Sequence, residues 1–218
     1  HVLDECGDSY LVMARYLQTA IGLYDDKLSF SKLIQKYLYN GNITSPLLTH
    51  LSRIIQQRKV SEVITYNFDD ILEQNLAKIG MKVSDDYTSV SKDAEIKDHN
   101  NMPIYHVHGI IPENGEPSEV VFSEEVYHKR YANAFHWSNI EQLHALSRMH
   151  CLFIGLSRTD PDLRRLIDAS NEINEPNGDR HFAFLPRKQM ERYCLSKIDK
   201  GCKYVHVSES LIDKKLQK

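Results

Sequence analysis

At 218 residues, the chain is long enough for one sizeable core, or for one domain carrying an appended lobe. Its apolar and charged fractions, 41% and 26%, are those of an ordinary globular protein and exclude a disordered one. A formal charge of −3, with no long Lys/Arg block, gives no electrostatic reason to expect direct nucleic-acid binding, and no apolar run approaches the length that spans a bilayer.

The opening residues His1-Val2-Leu3-Asp4-Glu5 lack the charged-then-apolar pattern of a secretory signal. Cys6, Cys151, Cys194 and Cys202 form no Cys-x-x-Cys pair and no disulfide-like framework, so free thiols in a reducing cytoplasm are expected.

In chain order, the first third reads as helix. Tyr10, Met13, Leu17 and Ile21 recur at helical spacing, and Phe30, Leu33, Ile34, Tyr37 and Leu38 repeat the stripe until Asn40-Gly41-Asn42 breaks it. Ser45 followed by Pro46 is an N-cap and first-turn pair, opening a third helix with Leu47, Leu48, Leu51, Ile54 and Ile55. These segments make a helical lobe or cap over residues 1–58, and their apolar positions are expected to be core.

Residues 59–218 alternate between short strands and helices. Val63-Ile64-Thr65-Tyr66 is β-prone, and a helix with Ile71, Leu72 and Leu76 follows at once. Ile104 to His108 is a second strand, stopped by Gly109. After the loop 112–118, a brief strand Val120-Val121-Phe122 leads into a helix capped by Ser123, and Ile140, Leu143, Leu146 and Met149 mark another helix. Cys151 to Gly155 is a continuous apolar run, the pattern of a strand buried on both faces. Asp160-Pro161 caps a helix with Leu163, Leu166 and Ile167; a strand His181–Leu185, a helix near 187–198 and a strand Tyr204–Val207 complete the series. The alternation predicts the α/β class, a Rossmann-like parallel sheet flanked by helices behind a helical N-terminal lobe. Periodicity leaves the strand order open.

In an open parallel sheet, ligands bind beyond the carboxyl ends of the strands. Three predicted ends carry polar groups that a packed core does not need. In Thr65-Tyr66-Asn67-Phe68-Asp69-Asp70, Asn67 offers a donor and an acceptor and Asp69 an acceptor beside a helix start; an ordinary Asx turn or N-cap explains them equally. In Tyr105-His106-Val107-His108-Gly109 strand spacing puts both histidines on one face. No cysteine or carboxylate stands at ligand spacing, so no metal site is predicted. His106 reads as a hydrogen-bonded core histidine. His108, before a permissive glycine, is better placed as a general base near neutral pH. In Gly155-Leu156-Ser157-Arg158-Thr159-Asp160 a buried strand breaks at glycine and enters a helix whose N-terminus favours an anion or a ribose. Asp160 and Asp162 there are explained as cap and dipole partners.

Taken together, these three sites resemble the sirtuin family. Thr65-Tyr66-Asn67-Phe68-Asp69 matches its Thr-x-Asn-x-Asp motif, His108-Gly109 its catalytic His-Gly, and Gly155-x-Ser157 its ribose-binding Gly-x-Ser turn, in the same order and at similar spacing over roughly residues 60–207. More narrowly, Tyr105–Gly109, Val121–Tyr127 and Phe153–Arg165 look like the zinc-less bacterial NAD-hydrolase branch associated with anti-phage defence. The two Cys-x-x-Cys pairs that hold structural zinc in sirtuin deacylases are missing, so no zinc is expected. The family's opening Gly-Ala-Gly phosphate-binding turn is missing too. Either it lies upstream of His1, which is not a methionine, or this domain has lost it.

The resemblance implies cleavage of NAD to nicotinamide and ADP-ribose, as defence by NAD depletion, with a homo-oligomer or a defence-system protein as partner. Asn67, Asp69 and His108 would be catalytic. Thr65, Asn67, Asp69, Gly155 and Ser157 would hold the nucleotide. Three other roles remain open. A sensor would bind NAD or ADP-ribose without releasing nicotinamide, a deacylase would need an acyl-peptide, and an assembly module would use the Asp160–Arg165 helix and the Trp137 region as interface.

Overall fold

The computed structural model describes residues 10–24, 29–41, 45–95, 101–156, 160–173 and 181–184. Three helices come first: α1 (Tyr10–Tyr24), α2 (Phe30–Leu38) and α3 (Pro46–Gln56). The last begins where the Ser45-Pro46 pair predicts. Proline stands in its first turn and the Ser45 carbonyl accepts the Thr49 N–H at 3.1 Å, although the Ser45 hydroxyl makes no cap bond.

The chain then alternates through β1 (Val63–Thr65), α4 (Ile71–Lys78), β2 (Tyr87–Val90), a 3₁₀ turn at Asp93–Glu95, β3 (Met102–His106), α5 (Glu124–Ala132), α6 (Trp137–Arg148), β4 (Leu152–Ile154), α7 (Pro161–Ile173) and β5 (Phe182–Phe184). Strands β1, β3 and β2 form a parallel sheet with β3 in the middle, Thr65 opposite His106 and Val90 opposite Tyr105. A second parallel pair joins β4 to β5. The architecture is therefore α/β, a parallel sheet flanked by helices with further helices ahead of its first strand, as the alternation predicts. Among the described residues no helix is long and apolar enough to cross a membrane.

The two-residue period of β3 sends neighbouring side chains to opposite faces. On one face Ile104 is buried with Tyr87, with Ile55 of α3 and with Leu76 of α4. On the other, Val90, Tyr105 and Val107 pack with Ile64, Tyr66 and Trp137, the first residue of α6. Burying each such side chain contributes about 1.5–3 kcal/mol. The sheet is thus clamped from both sides, and its strand tips are held at fixed positions.

Several expectations need correcting. Strand β2 was not anticipated, because Tyr-Thr-Ser-Val has no clear alternation. Strand β3 starts and stops two residues before the predicted Ile104–His108, so His108 lies in the turn beyond it. Val120-Val121-Phe122 is not a strand; its tie to β3's tip is the Val121 N–H donated to the His108 carbonyl at 2.9 Å. Among the described side chains at the predicted core positions of the first three helices, only Ile55 is fully buried, while Leu17, Tyr37, Leu47 and Ile54 are exposed. Nor is β4 buried on both faces, since Leu152 is 51% exposed, and Phe182 and Phe184 of its partner β5 are exposed as well. An apolar stripe tells which face is apolar, not whether another element covers it. The predicted helix near 187–198, the strand Tyr204–Val207 and Leu185 lie outside the described residues.

Candidate functional site

Parallel pairing brings the carboxyl ends of β1 and β3 side by side, and the backbone contact continues past the strands. The Val107 N–H donates to the Thr65 carbonyl at 3.2 Å and the Ile111 N–H to the Phe68 carbonyl at 2.6 Å. The segment Thr65–Asp69 and the turn at His108-Gly109 therefore meet. Thr65 accepts the Asn67 N–H on its hydroxyl at 3.1 Å, and the Asn67 side chain stands exposed, with no hydrogen-bond partner among the described residues. Asp69 Oδ1 accepts the Ile71 N–H at 3.1 Å, an Asx turn that leads into α4. Burial raises the Asp69 carboxyl above its usual range, with Glu73 adding to the rise; the bond to Ile71 opposes it.

His108 is 5% exposed and ringed by aromatic side chains. Tyr66 meets it edge-on at 4.8 Å between centroids, Tyr127 edge-on at 5.3 Å, and Phe68 stacks at 6.4 Å. Burial pushes the imidazole down to about 4; Asp160 opposes the shift and Arg130 reinforces it. At neutral pH the ring is therefore uncharged and able to accept a proton. Asp160 Oδ2 lies 3.7 Å from His108 Nε2 and accepts the Tyr127 hydroxyl at 2.7 Å, while its Oδ1 accepts the Leu163 N–H at 3.0 Å. The cap that the sequence predicts at the start of α7 is real, and the same carboxyl also faces the histidine.

The turn after His108 requires glycine. Gly109 has φ +85°, and a Cβ there would lie 2.2 Å from the Glu119 carbonyl oxygen, because the 118–121 segment returns alongside. Bonds from the Ser118 N–H to Ile110 O and from the Val121 N–H to His108 O hold that return at 2.8 and 2.9 Å. Arg130 of α5 donates from Nη1 to the Val107 carbonyl, which fixes the cation beside the same turn.

His106 has the structural role expected of it. It is 1% exposed, and its Nε2 lies 2.6 Å from Glu73 Oε1, which also accepts the Ser89 hydroxyl at 2.7 Å. Its Nδ1 is buried with no hydrogen-bond partner among the described residues. A bare acceptor is cheaper to bury than a bare donor, so the network assigns the proton to Nε2, donating to Glu73. Burial raises the Glu73 carboxyl, yet the bonds from His106 and Ser89 outweigh burial and hold it below the ordinary range.

The helical lobe reaches this site through the loop after Gly109. Gln35 donates to the Pro112 and Gly115 carbonyls at 2.6 and 3.1 Å, and Lys32 pairs with Glu116 at 3.0 Å. The Tyr39 hydroxyl accepts the Asp70 N–H and lies 2.7 Å from Asp70 Oδ1 and 2.6 Å from the Ile111 carbonyl, which compete for its one proton. Phe30 of α2 packs edge-on against Phe122 at 5.4 Å, and Phe122 packs on Phe68 at 4.2 Å.

The structure thus brings Thr65, Asn67, Asp69 and His108 to one edge. Gly155, with φ +69°, stands at the end of β4 with open space around it, and Ser157 lies outside the described residues. Tyr66, Tyr127, Arg130 and Glu73 were not assigned roles from the sequence. Tyr66 and Tyr127 do fall within the quoted motifs, whereas nothing local marks Glu73 as the partner of a histidine 33 residues away.

Comparison with known proteins gives this geometry a family. A SIR2-like domain model matches residues 61–203. The chain is also similar to the NAD(+) hydrolase ThsA of Cytobacillus dafuensis, 27% identical over 141 residues, a stretch covering 65% of this chain and 28% of that relative. The chain therefore spans well under a third of that relative's length. Since the matched model covers most of the chain, including both strand tips and the helix behind Asp160, the protein belongs to the SIR2-like domain family.

Proposed function

We propose that the intact protein hydrolyses NAD at the nicotinamide–ribose bond, yielding nicotinamide and ADP-ribose. The observation that carries this reading is an uncharged, buried imidazole packed against Tyr66 and Phe68, the two residues that flank the exposed Asn67, at the carboxyl edge of a SIR2-like sheet. The similarity to an NAD(+) hydrolase supports the choice of reaction.

Departure of neutral nicotinamide leaves an oxocarbenium-like ribosyl cation, as in glycoside hydrolysis. The C–N electron pair leaves with nicotinamide; water then adds to the cationic anomeric carbon, and its proton passes to His108 as the C–O bond forms. Asn67 holds the ribose or the attacking water with its donor and acceptor. Asp69, fixed by Ile71, orients that network, and Thr65, Gly155 and Ser157 contribute to nucleotide binding. Residues 1–58 act as a cap on a core of 59–218, and NAD depletion in the cytoplasm during phage infection is the biological role, with a second copy or a defence-system protein as partner.

The test is nicotinamide release by the full-length protein. His108→Ala and Asn67→Ala should each nearly abolish it, and undiminished release in both variants refutes the assignment. A sensor that binds NAD without cleaving it is the second reading, favoured by the burial of His108 behind Tyr66, Phe68 and Tyr127. It predicts saturable NAD binding with no nicotinamide produced.

A further inference from the structure

The start of α7 lies far from β3 in sequence, yet it delivers a carboxyl to the ring of His108. We infer that Asp160 is a positioning residue for His108, its Oδ2 keeping the imidazole proton on Nε2 and leaving Nδ1 as the proton acceptor. The importance of that proton's place rests on the reading of His108 as the base; the contact itself does not.

Three groups fix the carboxyl. The Leu163 N–H holds Oδ1 at 3.0 Å, the Tyr127 hydroxyl holds Oδ2 at 2.7 Å, and the first turn of α7 sets the backbone. A phenol has a single proton, and Tyr127 donates its own to Asp160. At 3.7 Å the carboxylate is beyond hydrogen-bond reach of Nε2 and acts on the ring through its charge, which favours the tautomer that turns its N–H toward the anion. The other polar groups around the ring are occupied elsewhere. Tyr66 from the β1 tip hydrogen-bonds Gln142 through its hydroxyl, and Arg130 from α5 donates to the Val107 carbonyl. When His108 takes a proton, the imidazolium forms opposite an anion that is already in place, the logic by which a buried carboxylate orients a catalytic histidine.

Imidazole ¹⁵N spectra of the full-length protein at neutral pH test this without requiring any turnover. His108→Gln identifies the His108 signals, and the His106 signals, set by Glu73 on the other side of the strand tip, report that the fold is intact. The wild type should carry the His108 proton on Nε2. In Asp160→Asn the amide oxygen keeps the Leu163 cap while a neutral NH₂ replaces the anionic oxygen facing Nε2, so the proton should move to Nδ1. A wild-type proton on Nδ1, or one tautomer in both proteins, overturns the inference. In parallel, Asp160→Asn should lower kcat for nicotinamide release by a factor of about 10² to 10⁴ with KM little changed. Full turnover in Asp160→Asn refutes the positioning role while leaving the NAD-hydrolase reading intact. A silent wild type instead refutes the hydrolase reading, and the spectra still decide the role of Asp160.

Discussion

At the end of β3, His106 commits its Nε2 to Glu73 inside the sheet, whereas His108, two residues on, has aromatic rings on three sides and a carboxyl only at 3.7 Å. Both are nearly excluded from solvent. The difference lies in what each was given on burial. His106 gained a hydrogen-bonding carboxylate at 2.6 Å, and the pair ties α4 to β3. His108 lost its water without an equally close partner, and that burial holds it uncharged at neutral pH, as a weaker base than a free imidazole. Two copies of one residue type on one strand line thus separate into an anchor and a candidate base.

Removing each histidine's chemistry should break this comparison in opposite ways. The largest effect is on rate: His108→Ala should lower nicotinamide release by a factor of about 10² to 10⁴, with the protein still folding cooperatively in a thermal melt. Next, Glu73→Ala leaves the buried His106 N–H without its acceptor and should cost about 1–3 kcal/mol of stability, read from urea melts. A variant that melts like the wild type would mean that His106 does not depend on Glu73. Gly109→Ala falls between the two regions. Its positive φ alone costs about 1–3 kcal/mol, and the encounter with the Glu119 carbonyl forces the turn to move, so both melting temperature and turnover should fall.

A gentler comparison uses pH. The folded-state value of His108 is depressed from 6.5 to about 4, so on acidification the unfolded chain takes up the proton first. Stability from this site is complete above 6.5 and drains away as pH falls toward 4. Glu73 is held below its ordinary value of 4.5, so its contribution is complete above 4.5 and is lost at more acid pH, as the folded carboxyl protonates. Urea melts from pH 7 downward should therefore show two windows. His108→Ala should reduce the slope of the upper one, which it shares with His136, also held below 6.5 by burial, and Glu73→Ala the lower; an upper slope as steep in His108→Ala as in the wild type would contradict the account of His108 burial.

Much of this was legible one element at a time. Ser45-Pro46 marked the start of α3, the apolar run beginning at Cys151 marked β4, and Asp160-Pro161 marked the start of α7. Asp69 beside a helix start announced the Asx turn as well as the candidate site. What escaped was whatever depended on covering or on distant partners. The stripes of α1 and α2 looked like core, but α1 packs on α2 and α5 while Leu17 and Tyr37 remain exposed. Strand β2 escaped because Ser89, in the middle of it, is polar, and the reason is that its hydroxyl serves Glu73.

The amino-acid order by itself determined the alternation of strands and helices and the polar strand ends, because periodicity and capping act over a few residues. Only the tertiary structure decided which strand lies in the middle, and that Glu73 meets one histidine while Asp160 and Tyr127 meet the other. Those partners come from elements separated in sequence. Their approach is set by the packing of helices on the two faces of a parallel sheet, which no local pattern records.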